Sequence, residues 1–468
     1  MPFYFLKKDS DKSIELKGKD AIVLWLKGKD TWNAWVKANP KANINFDNIK
    51  FWTLRLVYPD LGDTISFRGF NFPEGDVSFN NTSFHTFDAD FSNINFSKGE
   101  ISFFRSIFSE GRVNFSNTNF EDGDVIFSDT IFNSHKVTFN DSNFGEGCVY
   151  FCGSIFGTCI DNLERGEVHF SNINYGDGSV HFSHTTFHSE YVTFSDSKID
   201  NGKISFNDSK INSKWFLFEK NKINGHTSFN RIECQRNIKT FSFKHSTFGD
   251  SLDISIKELD CVPDFTNTKI TNQIVLNNLN YQLKRERHFL IFKISDYRDI
   301  ALLRRLKEIA EGNKDYASIL RFHADEMRAK RWNELSPSQS ILDMFFSLSC
   351  NYGQSIARPL FSLLSLILIK TLYTIGYCFP LTTESTDYST WMSNMNTIDN
   401  KMWLRSFELA ISNALPFISS SKEISKNAYE HLHLTFPAYI GIVNLLYGIS
   451  CFLLLFLIGV GLRNRFKI

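Results

Sequence analysis

One lysine stands where a charge is costly. Lys370 lies in the middle of residues 360–379, a run of about 20 mostly apolar residues, which is long enough to cross a bilayer. A charged side chain at that depth has to face protein or water, so Lys370 indicates an ion pathway or a polar contact between helices. The alternatives are that Lys370 snorkels to the membrane surface or that the span is shifted along the chain.

A second apolar run, residues 437–462, carries small and polar residues at helical spacing. Gly441, Asn444, Gly448 and Cys451 stand at i, i+3, i+7 and i+10, so they form one stripe on a helix. Such a stripe suits close packing of helices or the lining of a cavity, and the spacing does not decide between the two.

The segment between the two runs holds a third candidate feature. Residues 403–423, WLRSFELAISNALPFISSSKE, predict an amphipathic helix that ends at Pro416 before a polar turn. Span, short helix, polar turn and span is the arrangement of two-span pore-loop channels, although no TVGYG-type filter is present. The alternative is a helix on the outer surface. The candidates for a pore or for span packing are Lys370, Ser412, Asn413, Ser419, Ser420, Gly441, Asn444 and Gly448.

The remaining reactive side chains do not combine into a catalytic or metal site. His323 and Glu326 are three residues apart without a third ligand, and Cys148 and Cys152 lie at repeat positions where packing explains them. The chain has no P-loop, GxSxG or HExxH motif. Its eight cysteines form no CxxC pair, which indicates free thiols in a reducing compartment. We therefore expect no enzyme activity, no cofactor and no metal.

Basic residues flank the two spans and predict their orientation. They precede the first span and follow the second, whereas residues 380–435 have mixed charge. By the positive-inside rule both chain ends are cytoplasmic and residues 380–435 face outward. We expect a multi-pass protein of the inner (cytoplasmic) membrane, in contact with lipid and without a signal peptide. The flanking residues are Arg328, Lys330, Arg331, Arg358, Arg463, Arg465 and Lys467.

The elements that must carry these spans begin with a repeat over residues 77–223. Each 12-residue unit reads Val-x-Phe, with a second apolar residue five positions after the Phe, and a seven-residue insertion around 161–167 interrupts the series. The phenylalanines of the predicted repeat core are Phe79, Phe84, Phe91, Phe96, Phe103, Phe108, Phe115, Phe120, Phe127, Phe132, Phe139, Phe144, Phe151, Phe156, Phe170, Phe182, Phe187, Phe194, Phe206 and Phe218.

This spacing predicts a parallel β-solenoid. A helix gives no reason for a fixed alternation of five and seven residues, whereas Val-x-Phe places both side chains on one face of a short strand. The connecting Asn, Asp, Ser and Gly are turn formers. One unit cannot bury its Phe, but stacked units bury a column of rings at roughly 2–3 kcal/mol per ring. We expect two units, about 24 residues, in each four-sided coil.

The chain is then predicted to have four parts. Residues 1–60 form an N-terminal helical cap, with one amphipathic helix over Asp20–Ala38 whose tryptophans cover the solenoid or, alternatively, form a ligand box. Residues 61–284 form the β-helix. Residues 285–340 form a cytoplasmic linker of two helices broken near Gly312. Residues 341–468 form the membrane module, with spans near 360–379 and 437–462.

The repeat resembles the pentapeptide-repeat proteins in their Phe-centred variant, whose fold is a right-handed quadrilateral β-helix. The motif Trp32-Asn33-Ala34-Trp35, with Asn39-Pro40, resembles the short helix that precedes many arrays of this family. Tyr297-Arg298, Leu306-Lys307 and Leu462–Phe466 (LRNRF) are similar to a bacterial, membrane-anchored subgroup of it. Asn313, Phe322, Glu326 and Arg331 match its linker pattern. The resemblance covers most of the chain and implies a two-span, channel-like C-terminal module. The alternation of five and seven departs from the strict five-residue repeat.

These features lead to one main hypothesis and two alternatives. The main one is a cytoplasmic β-helix that senses or binds a protein partner and is coupled to an oligomeric two-span pore, because two spans cannot enclose a pore alone. The first alternative is a membrane-anchored scaffold or interaction module. The second is an acidic mimic of nucleic acid, since residues 61–190 hold 18 Asp and Glu against 6 Lys and Arg. A membrane tether does not favour a nucleic-acid partner.

Overall fold

The computed structural model describes residues 14–58, 61–157, 166–234, 237–288, 291–294, 296–378, 400–416, 418–432 and 439–466. Parts of three predicted features lie outside these residues: the insertion around 161–167, the outward segment before Asn400 and the first residues of the second span. The chain divides into two compact units, Met1–Phe322 and His323–Ile468. The boundary falls within the helix Tyr316–Lys330, and the predicted boundaries were 284 and 340.

The first unit contains a parallel β-solenoid of about 11 turns. Its short strands, β1–β28, pair in parallel on four faces. The first face holds β1 (Glu15–Lys17), β2 (Asn43–Asn45), β4 (Val77–Ser78), β6 (Ile101–Ser102), β9 (Val125–Ile126), β12 (Val149–Tyr150), β15 (Val180–His181), β19 (Ile204–Ser205), β23 (Thr227–Cys234), β26 (Leu252–Leu259) and β28 (Ile274–Tyr281).

The second face holds β7 (Ile107–Ser109), β10 (Ile131–Asn133), β13 (Ile155–Phe156), β16 (Thr186–Phe187) and β20 (Lys210–Ile211), and it joins the first through β23. The third holds β3 (Thr64–Ser66), β5 (Asp88–Asp90), β8 (Arg112–Asn114), β11 (Lys136–Thr138), β14 (Glu167–Ser171), β17 (Tyr191–Ser195), β21 (Trp215–Glu219) and β24 (Thr240–Ser242). The fourth holds β18 (Lys198–Ile199), β22 (Lys222–Ile223), β25 (Thr247–Phe248) and β27 (Lys269–Ile270).

The strand register gives the length of a coil. Val77 pairs with Ile101, and Ile101 pairs with Val125, so each coil advances the chain by two of the 12-residue units. Val149 pairs with Val180, which is one such coil lengthened by the seven inserted residues. The register therefore confirms two repeat units per coil, and the insertion leaves the pairing intact.

The phenylalanines fill the interior as stacked columns. Phe79, Phe103 and Phe127 lie one coil apart, with ring centroids 4.8 and 5.0 Å apart and nearly parallel planes. Phe91, from the other unit of the coil, meets Phe79 and Phe103 edge to face at 5.5 and 5.3 Å. The two halves of a coil thus meet across the interior, in the arrangement that aromatic quadrupoles favour.

The turns after each central Phe have a shared chemistry. The residue two positions after the Phe adopts positive φ, as Asn117 and Asp129 do, and these residue types tolerate that region. One position later a buried hydroxyl donates to the Phe carbonyl of the preceding coil. Thr118 Oγ1 reaches Phe91 O at 2.7 Å, and Thr130 Oγ1 reaches Phe103 O at 2.7 Å. The Asn-Thr and Asp-Thr pairs therefore turn the chain and also join successive coils.

One corner of the solenoid is built from stacked glycines, one from each of seven consecutive coils. A Cβ on Gly99 would lie 2.2 Å from the carbonyl oxygen of Gly75, and a Cβ on Gly123 would lie 2.0 Å from that of Gly99. Consecutive coils approach too closely there for any side chain. The column is Gly75, Gly99, Gly123, Gly147, Gly178, Gly202 and Gly225.

Three helices lie at the N-terminal end: α1 (Gly18–Leu26), α2 (Lys29–Ala38) and α3 (Phe51–Val57). The predicted single helix is two, because Gly28 between them has a φ of 89°. Trp25 and Trp32 are buried against the first phenylalanines, and their indole N–H groups donate to Ser66 O and Asn71 O. Both indoles are thus occupied by contacts with the first coils.

The C-terminal end of the solenoid meets α4 (Asp299–Gly312) and the start of α5 (Tyr316–Lys330). Arg305 on α4 donates to Phe265 O and Thr268 O, and Asn313 donates to Ile274 O. The prediction that the linker is helical from residue 285 is wrong for its first part. Two strands, β29 (Arg285–His288) and β30 (Ile291–Ile294), form an antiparallel pair there, consistent with the β-branched, aromatic sequence IFKI.

The second unit is helical. It contains α6 (Pro337–Cys350), α7 (Ala357–Cys378), α8 (Asn400–Ala414), α9 (Ser419–His431) and α10 (Tyr439–Phe466). Among the described residues, two stretches of helix are long and apolar enough to cross a membrane, Ala357–Gly376 in α7 and Gly441–Phe466 in α10. The helix α6, which sequence analysis did not predict, packs against both α7 and α10.

Candidate functional site

Lys370 lies inside the helical unit. Its side chain is on α7 and is 6 % exposed. Its Nζ donates to Oδ1 of Asn444 on α10 at 2.6 Å and lies 5.2 and 6.0 Å from the ring centroids of Tyr373 and Tyr447. An amide oxygen and two π faces thus surround the ammonium group, so Lys370 does not snorkel within this unit.

A hydrogen-bonded chain leads from Lys370 to a third helix. Asn444 uses its oxygen for Lys370, and its Nδ2 donates to the hydroxyl of Tyr429 on α9 at 3.2 Å. Three helices, α7, α10 and α9, are therefore linked through polar side chains at one level. The sequence stripe indicated Asn444 but gave no signal for Tyr429.

The helix α8 lies alongside the two candidate spans. Ala414 near its end packs in one cluster with Leu363 of α7 and with Tyr447 and Cys451 of α10. Tyr447 donates its hydroxyl to Ala410 O at 3.1 Å. Leu363 is six residues from the start of α7, about 9 Å along a helix of about 33 Å at 1.5 Å per residue. The end of α8 therefore lies close to the N-terminal end of α7 and far from the C-terminal end of α7.

The helices α8 and α9 form a hairpin, and the α8–α9 cavity between them is lined mostly by residues with polar side chains. Its volume is about 430 Å³. It contains three serine hydroxyls, two lysines and the side-chain amide of Asn413, whose Nδ2 has no hydrogen-bond partner among the described residues. Glu430 also lines it, 4.0 Å from Lys426. The lining is Ser412, Asn413, Pro416, Ser421, Lys422, Ser425, Lys426, Tyr429 and Glu430.

The remaining predicted residues take different places. A Cβ on Gly448 would come within 3.3 Å of Asn413 O, so this glycine allows α8 to approach α10. Gly441 is exposed, and a Cβ added to it would meet no side chain and no other element within 4 Å among the described residues. Ser412 is buried and donates to Leu409 O, whereas Ser419 and Ser420 are exposed at the start of α9.

A second polar cluster joins α5, α6 and the loop before α7. Arg331 donates from Nε to Oδ2 of Asp343 at 2.8 Å, and the hydroxyl of Tyr352 donates to the same oxygen at 2.9 Å. Burial and then the Asp343 charge raise the pKa of Tyr352 to about 12, so it stays a neutral donor. The far end of α10 joins the cluster through Asn464, whose Nδ2 donates to Gly353 O.

Of the two residue pairs considered from sequence for metals, His323 and Glu326 each make a protein contact. Glu326 is 1 % exposed and accepts from Lys330 Nζ at 2.6 Å, and His323 packs edge to face on Tyr352. Cys148 and Cys152 are both half-buried free thiols. In the described part of the chain, no three His, Cys, Asp or Glu residues are placed to hold a metal ion.

The chain matches no known protein family, no curated protein and no solved structure in comparisons of sequence and of fold. Its function is therefore inferred from the contacts within the solenoid and within the helical unit.

Proposed function

We propose that this chain is a non-enzymatic integral membrane protein whose solenoid binds a cytoplasmic protein partner and whose helical unit assembles into an oligomeric, channel-like pore. The solenoid and two apolar helices fit a membrane-anchored repeat protein. The regular columns of phenylalanine support kinship with the pentapeptide-repeat proteins. No residue is assigned to catalysis or to a cofactor.

The pore is proposed because the α8–α9 hairpin extends far along the candidate spans α7 and α10. Its turn lies near Leu363, and its return helix reaches Asn444 through Tyr429. Lys422 and Lys426 lie between these two levels on α9, and both are exposed in a single chain. A charge at the centre of a bilayer costs about 2.5–3.5 kcal/mol even on insertion scales, so both lysines need water or protein around them.

Assembly would satisfy this requirement. Backbone and charge at membrane depth are tolerated where they line a water-filled cavity, and one copy cannot enclose such a cavity. Copies arranged around an axis would turn the polar face of each hairpin inward and leave the apolar faces of α7 and α10 to lipid. We expect four or more copies, with Lys422, Lys426 and the serines on the aqueous side.

The solenoid is the proposed sensor, and its surface argues against a nucleic-acid mimic. Asp76, Asp88 and Asp124 accept hydrogen bonds from backbone N–H groups of the following coil at 2.7–3.0 Å. Part of the acidic character is therefore structural. A more suitable partner surface is the stacked pair Tyr191 and Trp215, 4.2 Å apart on the third face, because these residue types are enriched in interfaces.

The test uses the full-length protein in nanodiscs and in liposomes. Its mass should be that of a ring-sized oligomer, and the liposomes should pass ions. Replacing both Lys422 and Lys426 by Gln should change the reversal potential, because it removes lining charge. Lys269→Gln, an exposed change of the same kind on the solenoid, should not. A monomeric protein that passes no ions would overturn the pore.

A second candidate is a membrane-anchored scaffold, and the contacts of Lys370 favour it. Its acceptor and both ring faces come from its own chain, as in a structural contact. Lys370→Met separates the two. Conductance should change if the polar chain from Lys370 to Tyr429 borders a pore, whereas a scaffold should keep its partner binding and show no conductance at all.

A further inference from the structure

The helix α6 has the features of an amphipathic helix at a boundary between water and an apolar environment. It has 14 residues and begins with a capping box, in which Ser336 and Gln339 exchange side-chain and backbone hydrogen bonds. Its only ionisable group besides the Cys350 thiol is the carboxyl of Asp343. The capping box fixes where α6 starts, so its two faces are well defined.

The two faces of α6 are inverted relative to those of a soluble helix. Leu342, Phe345 and Leu348 are 71 %, 66 % and 65 % exposed, and Ile341, Met344 and Phe346 are exposed beside them. At 100° per residue these six lie on one broad side. A helix in water would bury this side, since each large apolar side chain gains about 1.5–3 kcal/mol by leaving water.

The polar side of α6 is the one that packs on protein. Asp343 binds Arg331 and Tyr352, and Ser340 accepts from the backbone N–H of Trp332 at 3.1 Å. These contacts hold α6 with its apolar side outward. The orientation is thus set by buried hydrogen bonds and an ion pair, which are costly to leave unmade.

The neighbouring surfaces identify what covers this side. The helix α6 packs against α7 and α10, whose own apolar side chains are exposed, so the apolar surface continues from α6 onto both candidate spans. Exposed arginines, Arg358, Arg463 and Arg465, stand at the same end of the spans. Arginines beside an apolar helical face suit the anionic headgroups and upper acyl chains of a bilayer.

We infer that α6 is a third membrane element, an interfacial helix that lies in the surface of the lipid bilayer with Leu342, Phe345 and Leu348 among the acyl chains. It joins the membrane surface to α5 through the Arg331–Asp343 pair. This inference does not depend on a pore, since an anchored scaffold would need the same helix.

Photo-crosslinking tests the inference in the full-length protein. The crosslinking amino acid p-benzoylphenylalanine replaces Phe345 or, separately, Leu348, in nanodiscs of phosphatidylethanolamine and phosphatidylglycerol. Mass spectrometry should find lipid adducts at both positions. Ala301, exposed on α4, is the matched control and should give none.

Two outcomes would overturn the inference. Crosslinks from both positions to a second copy of the chain would show that another subunit covers this side. The absence of lipid adducts above the Ala301 background would show that it faces water. Two positions keep the test valid if one variant fails to fold.

Discussion

The contact between Lys370 and Asn444 gives the sharpest prediction about the helical unit. Lys370→Met keeps the length of the side chain and removes its charge, and Asn444→Leu removes the acceptor 2.6 Å from Nζ at similar volume. Asn444→Leu should be the more damaging change, because it leaves a buried ammonium with ring faces only. We expect it to cost about 3 kcal/mol of unfolding free energy.

The double variant decides whether the pair is coupled. When Lys370 is also replaced by Met, Asn444→Leu no longer leaves a buried ammonium group without a hydrogen-bond acceptor. Lys370→Met should therefore restore most of the stability lost in Asn444→Leu. The coupling free energy should be about 1.5–3 kcal/mol, as for hydrogen bonds to charged groups. Neutral side-chain pairs between membrane helices average only about 0.6 kcal/mol, so the two cases are distinguishable.

The assay is unfolding of the full-length protein by SDS in mixed micelles, followed by near-ultraviolet circular dichroism. Ser450→Leu, an exposed change on α10, is the control and should be nearly neutral. If the effects of Lys370→Met and Asn444→Leu simply add, the reasoning fails, and Lys370 must face water or lipid instead.

Three further predictions concern the first unit, measured as denaturant midpoints of the full-length protein in detergent. Gly123→Ala should cost about 3 kcal/mol or more of unfolding free energy, because the new Cβ would lie 2.0 Å from Gly99 O. Gly62→Ala is the control and should be tolerated, because a Cβ there meets nothing within 4 Å. Equal midpoints for the two variants would contradict the close approach of the coils. Thr130→Val should cost about 0.5–1.5 kcal/mol, because it removes one of the two hydrogen bonds to the Phe103 carbonyl and leaves only the one from the Ser106 N–H. The exposed change Thr64→Val should cost less, and no difference would mean that the hydroxyl column does not stabilise the solenoid. Burial, reinforced by the charge of Asp296, raises the pKa of Asp299 to about 6. Between about pH 4 and 6 the folded state therefore binds a proton that the unfolded state does not, and the folded state loses stability as the pH rises through that window. Asp299→Asn should abolish this loss, and a variant with an unchanged pH profile of stability would refute the role of Asp299.

The solenoid was predictable because its period is rigid. Val77, Ile101 and Val125 pair in the register that a coil of two repeat units requires, and one spacing repeated over a dozen units leaves little freedom. The role of Thr130 was not predictable, since a turn residue and a residue that joins coils have the same composition. The break at Gly28 was missed because one glycine is tolerated within an amphipathic pattern.

The helical unit was harder to predict for a physical reason. Sequence patterns assume that polar residues face water and apolar residues face protein. In α6 this relation is reversed, so Ser340 and Asp343 lowered the apolar character of a segment whose exposed side is almost wholly apolar. The position of α8 depends on Leu363 and Cys451, which are distant in sequence, and no local pattern gives that contact.

The register of the coils also restricts how such a chain can change in length during evolution. Duplicating or deleting one whole coil would move the end of the solenoid by about 4.8 Å and leave every surface column in line. Adding or removing a single repeat unit, half a coil, would place each column on the opposite side of the rod. The seven residues added between Val149 and Val180 show the other permitted route, an insertion between strands that keeps the pairing of the neighbouring coils in register. Lineages of this protein should therefore differ by whole coils, or by insertions between strands.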